Sequence, residues 1–445
     1  MTKLNLKIKN FGPINKADLK IGKINVIAGQ NASGKTTTSK LLYCLVSSVS
    51  SDGEYLVNSN LKNRLTRLLL SFSSTLPKEF NELSVNLFRL GSQLDLKSTD
   101  LTMYYIDEIL TESYNLIEES LFNQKEIFLE RLNEIKSLIN FKTNTLEYYD
   151  SIITTLLQIE FDGNEEIFNN FNDSEVELSG ELFNKEIVSN FKINENHMEG
   201  KINTEFLSTN NNKEAIYTET PYILDFETIL DFSTIYNPKS HHQNLLKAKL
   251  YDFDNKKNVF DKIENENIIK FQNKISDLIN GKLKFNTEKG AFVYQTNEGQ
   301  EYSLRNTATG IKQLGIIHTL LENRKLKEDS FLIMDEPEVH LHPEWQIKLA
   351  EILVLLAKDL NVTLYINSHS PQFIEAIEVY SAKYDLREET YFYLTKKTDE
   401  NEKFNIQRIA RNKLEILYND LGNPYDELDK IIGENIKNHL LDDVG

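Results

Sequence analysis

The feature that most constrains this chain is an eight-residue segment, Gly29-Gln30-Asn31-Ala32-Ser33-Gly34-Lys35-Thr36, which fits the pattern GxxxxGK[ST] in full. It follows an apolar run that is typical of a strand buried on both faces, residues 24–28, and precedes a helical segment, residues 39–46. Glycines let the backbone curl so that successive N–H groups face an anion, and the helix N-terminus adds its dipole. The segment therefore predicts a phosphate-binding loop, and the next residue, Thr37, is also expected to contact the nucleotide. Lys35 is expected to reach the β- and γ-phosphates, and the Thr36 hydroxyl to bind Mg²⁺.

Composition excludes several classes of protein. The chain has 445 residues with 40% apolar side chains, enough for a substantial core, and its one cysteine, Cys44, cannot form an internal disulfide. The sequence begins without a charged-then-apolar leader, and no apolar run approaches the roughly 20 residues that span a bilayer. We therefore expect a cytoplasmic protein with no membrane partner. The net charge of −18 disfavours bulk coating of nucleic acid, but leaves a local basic groove open.

The order of patterns predicts an α/β chain whose phosphate-loop unit is completed by residues far along the sequence. Alternation of apolar residues over 4–8 predicts a first strand, and helical spacing dominates from about 52 to 160. Three short antiparallel strands joined by glycine-containing turns are expected between residues 283 and 304. After residue 305 helices and strands alternate, which is the rhythm of a parallel sheet.

These patterns divide the chain into five segments. We expect residues 1–50 to form an N-terminal β subdomain with the phosphate loop, 51–160 a helical insertion, 161–305 a β-rich and helical part of the head, 306–385 its second set of motifs, and 386–445 C-terminal strands and helices. Residues 162–186 carry many acids and one base, Lys185, which predicts a solvated face that would repel phosphate. A further short strand is expected at Tyr222–Leu224.

A second motif lies at Phe331-Leu332-Ile333-Met334-Asp335-Glu336, an apolar strand that ends in two carboxylates. At that end Asp335 can hold Mg²⁺ through water, and Glu336 can polarise the attacking water as general base. Side chains alternate along a strand, so both carboxylates reach one phosphate only if the chain turns there. Pro337 supplies a reason for that turn.

Two further segments are placed to meet a phosphate. Residues 363–369 predict a third strand that ends in His369, which can hydrogen-bond a γ-phosphate at the edge where ligands bind in open α/β sheets. Ser370 and Pro371 then open a helix as cap and first-turn proline. The small residues Thr309 and Gly310 stand at the start of another helix, where an anion could also bind.

The order of these motifs resembles that of the ABC-type ATPases, and within them the branch that includes RecF, SMC proteins and the overcoming-lysogenisation-defect (OLD) family. The strongest tie is Asp335-Glu336-Pro337-Glu338-Val339-His340-Leu341-His342-Pro343, which is similar to the DEPExxLHP block of OLD-like and defence-associated ATPases. The segment Asn367-Ser368-His369-Ser370-Pro371 resembles their THSP-type switch. The resemblance covers residues 1–45 and 300–380. The insertion between these two segments does not resemble the family.

The resemblance implies an ABC-type P-loop head with a mixed or parallel sheet, an antiparallel β subdomain and a mostly helical insertion. It also implies Mg²⁺-dependent ATP hydrolysis in a head-to-tail homodimer or higher homo-oligomer. Thr309, Gly310 and Gln313 of one subunit would then complete the ATP site of the other, with Thr309 in place of the family's usual serine. The glutamine of the family's Q-loop has no clear counterpart. Its expected position after residues 222–224 offers Asp225 and Glu227, and the nearest downstream glutamine is Gln243.

Two functions stay open at this level. After His369 only 445 − 369 = 76 residues remain, too few for the TOPRIM nuclease domain that follows many OLD-like ATPases. The first hypothesis is therefore an ATPase that controls a separate effector, a nuclease or toxin, in defence against phage or foreign DNA, similar to the Septu or PARIS type. The alternative is a RecF-like repair or chromosome-maintenance ATPase that binds DNA directly. The basic residues available for DNA are Lys62, Arg64, Arg67, Lys239, Lys247, Lys249, Lys256 and Lys257.

Overall fold

A computed structural model describes the fold over most of the chain. The described residues are 3–50, 65–76, 80–93, 110–111, 113–115, 117–118, 125–141, 145–161, 173–182, 185–194, 197–202, 215–224, 241–252, 266–398, 402–421 and 430–432. Over these residues, no helix combines the length and the apolar composition that crossing a membrane requires.

The described strands and helices follow in chain order. The strands are β1 (Lys3–Phe11), β2 (Ile14–Ile21), β3 (Ile24–Ala28), β4 (Ser174–Leu182), β5 (Lys185–Asn194), β6 (His197–Ile202), β7 (Ala215–Thr218), β8 (Gly281–Asn286), β9 (Ala291–Thr296), β10 (Glu301–Ser303), β11 (Phe331–Asp335), β12 (Thr363–Ser368), β13 (Thr390–Lys397) and β14 (Phe404–Ile409). The helices are α1 (Lys35–Ser48), α2 (Asn81–Gln93), α3 (Lys125–Phe141), α4 (Thr145–Glu160), α5 (His241–Tyr251), α6 (Glu266–Ile279), α7 (Thr309–Glu322), α8 (Pro343–Asp359) and α9 (Pro371–Lys383).

A mixed sheet of eleven strands organises the molecule, in the order β6-β5-β4-β1-β2-β14-β13-β3-β12-β11-β7. Strands β13, β3, β12, β11 and β7 are mutually parallel, so their carboxyl ends meet at one edge. Strands β6, β5, β4, β1 and β2 pair antiparallel. The parallel half is the part that positions the phosphate loop, because β3 leads directly into it.

The C-terminal strands lie inside this sheet. β13 pairs parallel with β3, β14 pairs antiparallel with β13, and β14 also pairs parallel with β2. β2 and β3 follow each other in the sequence, but in the sheet β14 and β13 lie between them. β13 and β14 lie in the segment 386–445, where C-terminal strands were expected, and they complete the N-terminal unit.

The central strands are apolar on both faces because helices cover both sides of the sheet. In β12, Leu364 and Ile366 belong to one core, while Tyr365 belongs to the other. The first core is closed mainly by α6, α7, α8 and α9, and the second by α1 and the end of α4. A third, smaller core joins the helical residues 65–75 to α2 and α3. The expected α/β fold class, with a mixed sheet, an antiparallel β subdomain and a helical insertion, is confirmed.

The described part of the acidic segment 162–186 includes β4, two of whose glutamates are paired, while residues 162–172 and 183–184 lie outside the described residues. Glu175 and Glu177 of β4 lie opposite lysines of β1, with Nζ–Oε distances of 3.5 Å from Lys9 and 3.2 Å from Lys7. Lys192 of β5 also reaches Glu175, at 2.8 Å. At Glu175 and Glu177, the solvated face that the sequence predicts consists of exposed cross-strand pairs, each of which contributes little on its own.

One predicted strand is wrong. Tyr222–Leu224 lies in a 3₁₀ turn, Pro221–Leu224. The strand beside β11 is instead β7, which ends four residues before Tyr222. The physical reason is Pro221, which fixes φ and has no N–H for a sheet ladder. The other predictions near this edge, the three antiparallel strands and the helix-strand alternation after residue 305, are confirmed by β8–β10 and by α7 to β13.

Candidate nucleotide-binding site

The phosphate loop takes the curled backbone that its glycines allow. Gly29 has φ +145°, Ala32 φ +59°, and Gly34, the N-cap of α1, φ +89°. A Cβ at Gly29 would lie 1.8 Å from the Thr395 hydroxyl of β13, so this position requires glycine for space as well as for conformation. That hydroxyl also donates to the Ser33 Oγ at 2.8 Å. The C-terminal strand thus supports the loop from behind.

Side chains of the loop differ in exposure. Gln30, Asn31 and Ala32 are exposed, Thr36 and Thr37 are half-buried, and Lys35 is buried. The Lys35 ammonium donates to the carbonyls of Gly29 at 2.9 Å and Gln30 at 2.8 Å. It therefore folds back onto the first two residues of the loop. Burial lowers the pKa of Lys35, although the carboxylates of Glu336 and Asp335 oppose this.

Asp335 ends β11 directly beneath the start of α1. Its Oδ2 accepts a hydrogen bond from the Thr36 hydroxyl at 2.6 Å, and its Oδ1 accepts one from the Asn367 amide at 2.6 Å. Tyr217 of β7 donates a longer bond, 3.3 Å, to Oδ2. Burial raises the pKa of Asp335, and the bonds from Thr36 and Asn367 work against that rise.

The Thr36 and Asp335 oxygens fit the chemistry of Mg²⁺, which binds one or two protein oxygens together with phosphate and water. A hydroxyl and a carboxylate already lie within contact distance of each other here. A cation between them would replace their mutual hydrogen bond. When bound, Mg²⁺ supplies charge neutralisation of the phosphates.

Glu336 and His369 are brought into contact by a turn at the end of β11. Glu336 has φ +50°, in the left-handed region, and its N–H donates to the carbonyl of Asn367 at 2.9 Å. This turn lets Asp335 and Glu336 share one edge despite the alternation of the strand. The imidazole Nε2 of His369 hydrogen-bonds the Glu336 carboxylate, while its Nδ1 lies 2.8 Å from the Gly29 carbonyl and 3.4 Å from the Lys35 Nζ.

Each ring nitrogen of His369 faces an acceptor, although burial and the Lys35 ammonium beside Nδ1 oppose protonation of the ring. The Glu336 carboxylate raises the pKa of His369, and the same hydrogen bond lowers the pKa of Glu336. Glu336 is thus an ionised carboxylate at neutral pH, the state that a general base needs.

The hydroxyl-glycine segment lies on the other side of the same turn. Gly310 packs against Leu341, since a Cβ there would come within 2.7 Å of that side chain. Thr309 is half-buried at the first position of α7, whereas Gln313 is 5% exposed inside its own chain. The structure places these residues beside the segment that follows β11; their action in trans stays a prediction.

Several contributors to the site were given no role from the sequence, although Asn367 belongs to the segment that resembles the THSP-type switch. Asn367, Tyr217 and Thr395 all come from strand ends or strands that become neighbours only in the folded sheet. The position expected for a Q-loop residue is also different. It follows β7 and therefore begins at Glu219, rather than after residues 222–224. Gln243 of α5 donates to the Glu219 carboxylate at 3.1 Å, while Asp225 and Glu227 lie outside the described residues.

A phosphate loop, a paired hydroxyl and carboxylate, and a glutamate next to a histidine at one edge of a parallel sheet define a P-loop ATPase. Residues 1–374 match the family model described as "AAA ATPase domain" (AAA_15), and the chain belongs to that family. It is accordingly an ATP-binding protein with ATPase activity.

Three solved structures of SMC heads align with most of this chain at low identity and low TM-score. The SMC head domain from Thermotoga maritima aligns at 11% identity over 92% of this chain and 100% of that one, with a TM-score of 0.39. An SMC head bound to the C-terminal winged-helix domain of ScpA gives 10% identity, 93% and 100% coverage, and a TM-score of 0.44. An SMC head with an extended coiled coil, bound to the C-terminal domain of ScpA and derived from Pyrococcus furiosus, aligns at 11% identity. The alignment covers 93% of this chain and 98% of that one, with a TM-score of 0.41.

Proposed function

We propose that this ATPase hydrolyses Mg²⁺-ATP in a head-to-tail homodimer of the ABC type and that the dimer controls a separate effector, a nuclease or toxin, in defence against phage or foreign DNA. The contact between Glu336 and His369 carries the catalytic part of this proposal, because it assembles base and switch histidine beside the phosphate loop within one chain. Glu336 acts as general base, and Lys35 and Thr36 hold the phosphates and Mg²⁺.

The surroundings of Thr309 support the dimer. Ala308, the N-cap of α7, offers the first N–H groups of this helix no side-chain hydrogen bond, although the Ile311 N–H bonds the Ala308 carbonyl at 3.0 Å. Large apolar groups next to it are exposed: Tyr222 by 45% and Val339 by 40%. Tyr222 makes an edge contact with His340, which places these groups around the same turn. Exposed apolar surface of this kind suits a contact with a second subunit.

Two of the three basic candidates that the structure describes are poorly placed for DNA. Lys249 is only 7% exposed, and burial lowers the pKa of Lys247, which is half-buried, whereas Arg67 is exposed. Lys62, Arg64, Lys239, Lys256 and Lys257 lie outside the described residues. On the sheet surface the lysines at 7, 9 and 192 pair with glutamates. A RecF-like role with direct DNA binding is the second candidate, and salt-dependent affinity of the ATP-bound protein for DNA is its signature.

The first experiment uses Glu336→Gln, which keeps the size of the side chain and removes the base. We expect ATP binding to persist, hydrolysis to fall at least 100-fold, and the protein to run as a dimer with Mg²⁺-ATP in size-exclusion chromatography with light scattering. Turnover at the wild-type rate would refute the assignment of the base.

Complementation tests the exchange of residues between subunits. Lys35→Ala damages the phosphate loop and Thr309→Arg blocks the half-buried start of α7, so each protein alone should be inactive. Mixing them should restore activity, because the heterodimer contains one site with an intact loop and an intact α7. As a control, a mixture of Lys35→Ala and Glu336→Gln damages the loop side of both sites and should stay inactive. Equal activity in the two mixtures would contradict action in trans.

The effector part is tested by isolating the protein with its natural companions in the presence of ATP and Mg²⁺. We expect a nuclease or toxin to co-purify and its activity to depend on the nucleotide state. A protein that instead binds duplex DNA alone, with affinity falling steeply between 50 and 200 mM salt, would favour the RecF-like alternative.

A further inference from the structure

The buried carboxylate of Glu338 ties two segments of the candidate site together. Glu338 is 3% exposed and lies in the turn after β11, two residues beyond Glu336. Its Oε1 accepts hydrogen bonds from the Ser368 hydroxyl at 2.5 Å, from the His369 N–H at 3.1 Å and from the Ser370 N–H at 3.3 Å. Three donors, from the last residue of β12 and the two residues that precede α9, thus converge on one oxygen.

These hydrogen bonds matter because burying a carboxyl group costs free energy unless its oxygens are hydrogen-bonded. Burial raises the pKa of Glu338, and the bonds from Ser368 and from the backbone of His369 and Ser370 oppose the rise. The second oxygen, Oε2, has no hydrogen-bond partner within the described part of the chain. An apolar residue would fill this space at lower cost, so packing alone does not account for a glutamate here.

The consequence concerns His369. Its side chain contacts Glu336 through Nε2 and the Gly29 carbonyl through Nδ1, while its main chain is held by Glu338. The two glutamates lie on one turn, whose backbone is itself bonded to Asn367. Glu338 thereby fixes the distance between that turn and the imidazole.

We propose that Glu338 is a positioning residue for ATP hydrolysis, which holds the main chain of His369 so that the imidazole stays against Glu336 and Gly29. It acts without touching the nucleotide, and it rests on the roles proposed above for Glu336 and His369. The carboxylate oxygen Oε1, rather than the charge, is the part that matters. An amide oxygen at the same position should therefore serve nearly as well.

Two substitutions separate positioning from packing. Glu338→Ala should lower kcat for ATP about 10- to 100-fold with KM within about 3-fold, because a misplaced catalytic group slows the chemical step more than binding. Glu338→Gln should recover kcat to within about 3-fold, since its Oε1 still accepts the three bonds. Glu351→Ala removes a hydrogen-bonding carboxylate of α8 outside the site and should leave both constants unchanged. A Glu338→Ala protein that loses ATP affinity instead, or a Gln variant as poor as Ala, would overturn the proposal.

A double-mutant cycle and amide exchange complete the test. If Glu338 acts through His369, adding Glu338→Ala to His369→Ala should cause no further loss of kcat, whereas additive losses would overturn the proposal. The His369 and Ser370 amides should exchange with solvent at least about 10-fold faster in Glu338→Ala than in wild type and stay slow in Glu338→Gln. Unchanged exchange in Glu338→Ala would also overturn it.

Amide exchange does not depend on catalysis, so it distinguishes this proposal from failure of the proposed function. Wild-type turnover by Glu336→Gln would remove the base but leave the exchange result intact. Should Glu338→Ala not fold, Ser368→Ala removes one of the three donors from the opposite side. It should lower kcat less than tenfold and speed exchange at Ser370; no change in either quantity would overturn the proposal.

Discussion

The substitution His242→Phe should destabilise the head through a buried pair that lies next to the candidate site. His242 is 1% exposed, and its side chain sits between two carboxylates, with Nδ1 2.6 Å from the Glu160 Oε2 and Nε2 3.1 Å from the Glu219 Oε2. Its backbone N–H also donates to Glu160, at 2.6 Å. Phenylalanine preserves the ring that packs against Tyr217, 4.5 Å between centroids, but leaves Glu160 without its charged partner.

Breaking a buried ion pair in this way costs about 3–5 kcal/mol. The backbone bond to Glu160 remains, so we expect a loss near the lower limit, about 3 kcal/mol of the free energy of unfolding. With an unfolding entropy of about 2.1 cal/mol/K per residue, a loss of that size lowers Tm by about 3 °C when the chain unfolds as one unit. Scanning calorimetry measures this shift.

The effect should depend on pH. Burial lowers the pKa of His242, but the hydrogen bonds that its imidazole donates to Glu160 and Glu219 outweigh burial and raise the pKa above its ordinary value, 6.5. The contribution of His242 is thus fully present below about pH 6.5 and is lost as the pH rises through its folded value. The hydrogen bond with His242 lowers the pKa of Glu219 below its ordinary 4.5, so the contribution of Glu219 is present above about 4.5 and is lost as the pH falls through its folded value.

The difference in Tm between wild type and His242→Phe should accordingly be largest between about pH 4.5 and 6.5 and shrink towards pH 9. Combining His242→Phe with Glu160→Gln removes both charges, so the double variant should be more stable than the sum of the single losses predicts. A Tm difference below about 0.5 °C at pH 6, or one that grows with pH, would refute this account.

Three further outcomes follow from the site. Lys35→Ala should weaken ATP binding about 10- to 100-fold in a fluorescent-nucleotide titration, because a charge-assisted contact of about 1.5–3 kcal/mol is lost; unchanged affinity would contradict the role of the loop. Gly29→Ala should lower Tm and ATP affinity, because the new Cβ would lie 1.8 Å from the Thr395 hydroxyl. Gly299→Ala is the control: Gly299 also has a positive φ (+88°) but has open space around it, so ATP affinity should stay unchanged. Thr36→Ala should raise the Mg²⁺ concentration for half-maximal ATPase activity while Thr36→Ser restores it, and identical Mg²⁺ curves would argue against the pairing with Asp335.

Much of the site was predictable because its chemistry is encoded locally. The spacing of Gly29, Gly34 and Lys35 dictates a curled loop at a helix start, and the carboxylates Asp335 and Glu336 end an apolar strand. Parallel strands bring such ends to one edge, so His369 could be expected there as well. The turn that lets Asp335 and Glu336 face one site was also expected, although it is made by the left-handed backbone of Glu336 as well as by Pro337.

Other parts depend on contacts between segments hundreds of residues apart. The strand at Tyr222–Leu224 was wrong because a short apolar run carries little information without its neighbours, and β7 is stable only because it pairs with β11. Glu338 and Ser368 belong to the two motifs that carry the family resemblance, but their mutual contact is visible only in the folded chain. The pairing of His242 with Glu160 joins side chains whose sequence positions give no common pattern.

The amino-acid sequence by itself determined the phosphate loop, the helix-strand alternation after residue 305 and the set of polar groups at the strand ends, because each depends on the conformation of a few consecutive residues. Only the tertiary structure decided that β13 and β14 enter the sheet between β2 and β3, that Thr395 thereby supports Gly29, and that the acidic strand β4 is matched by lysines of β1 and β5. Strand order is fixed by burial of apolar faces and by backbone pairing over the whole sheet, and no local pattern records that energy.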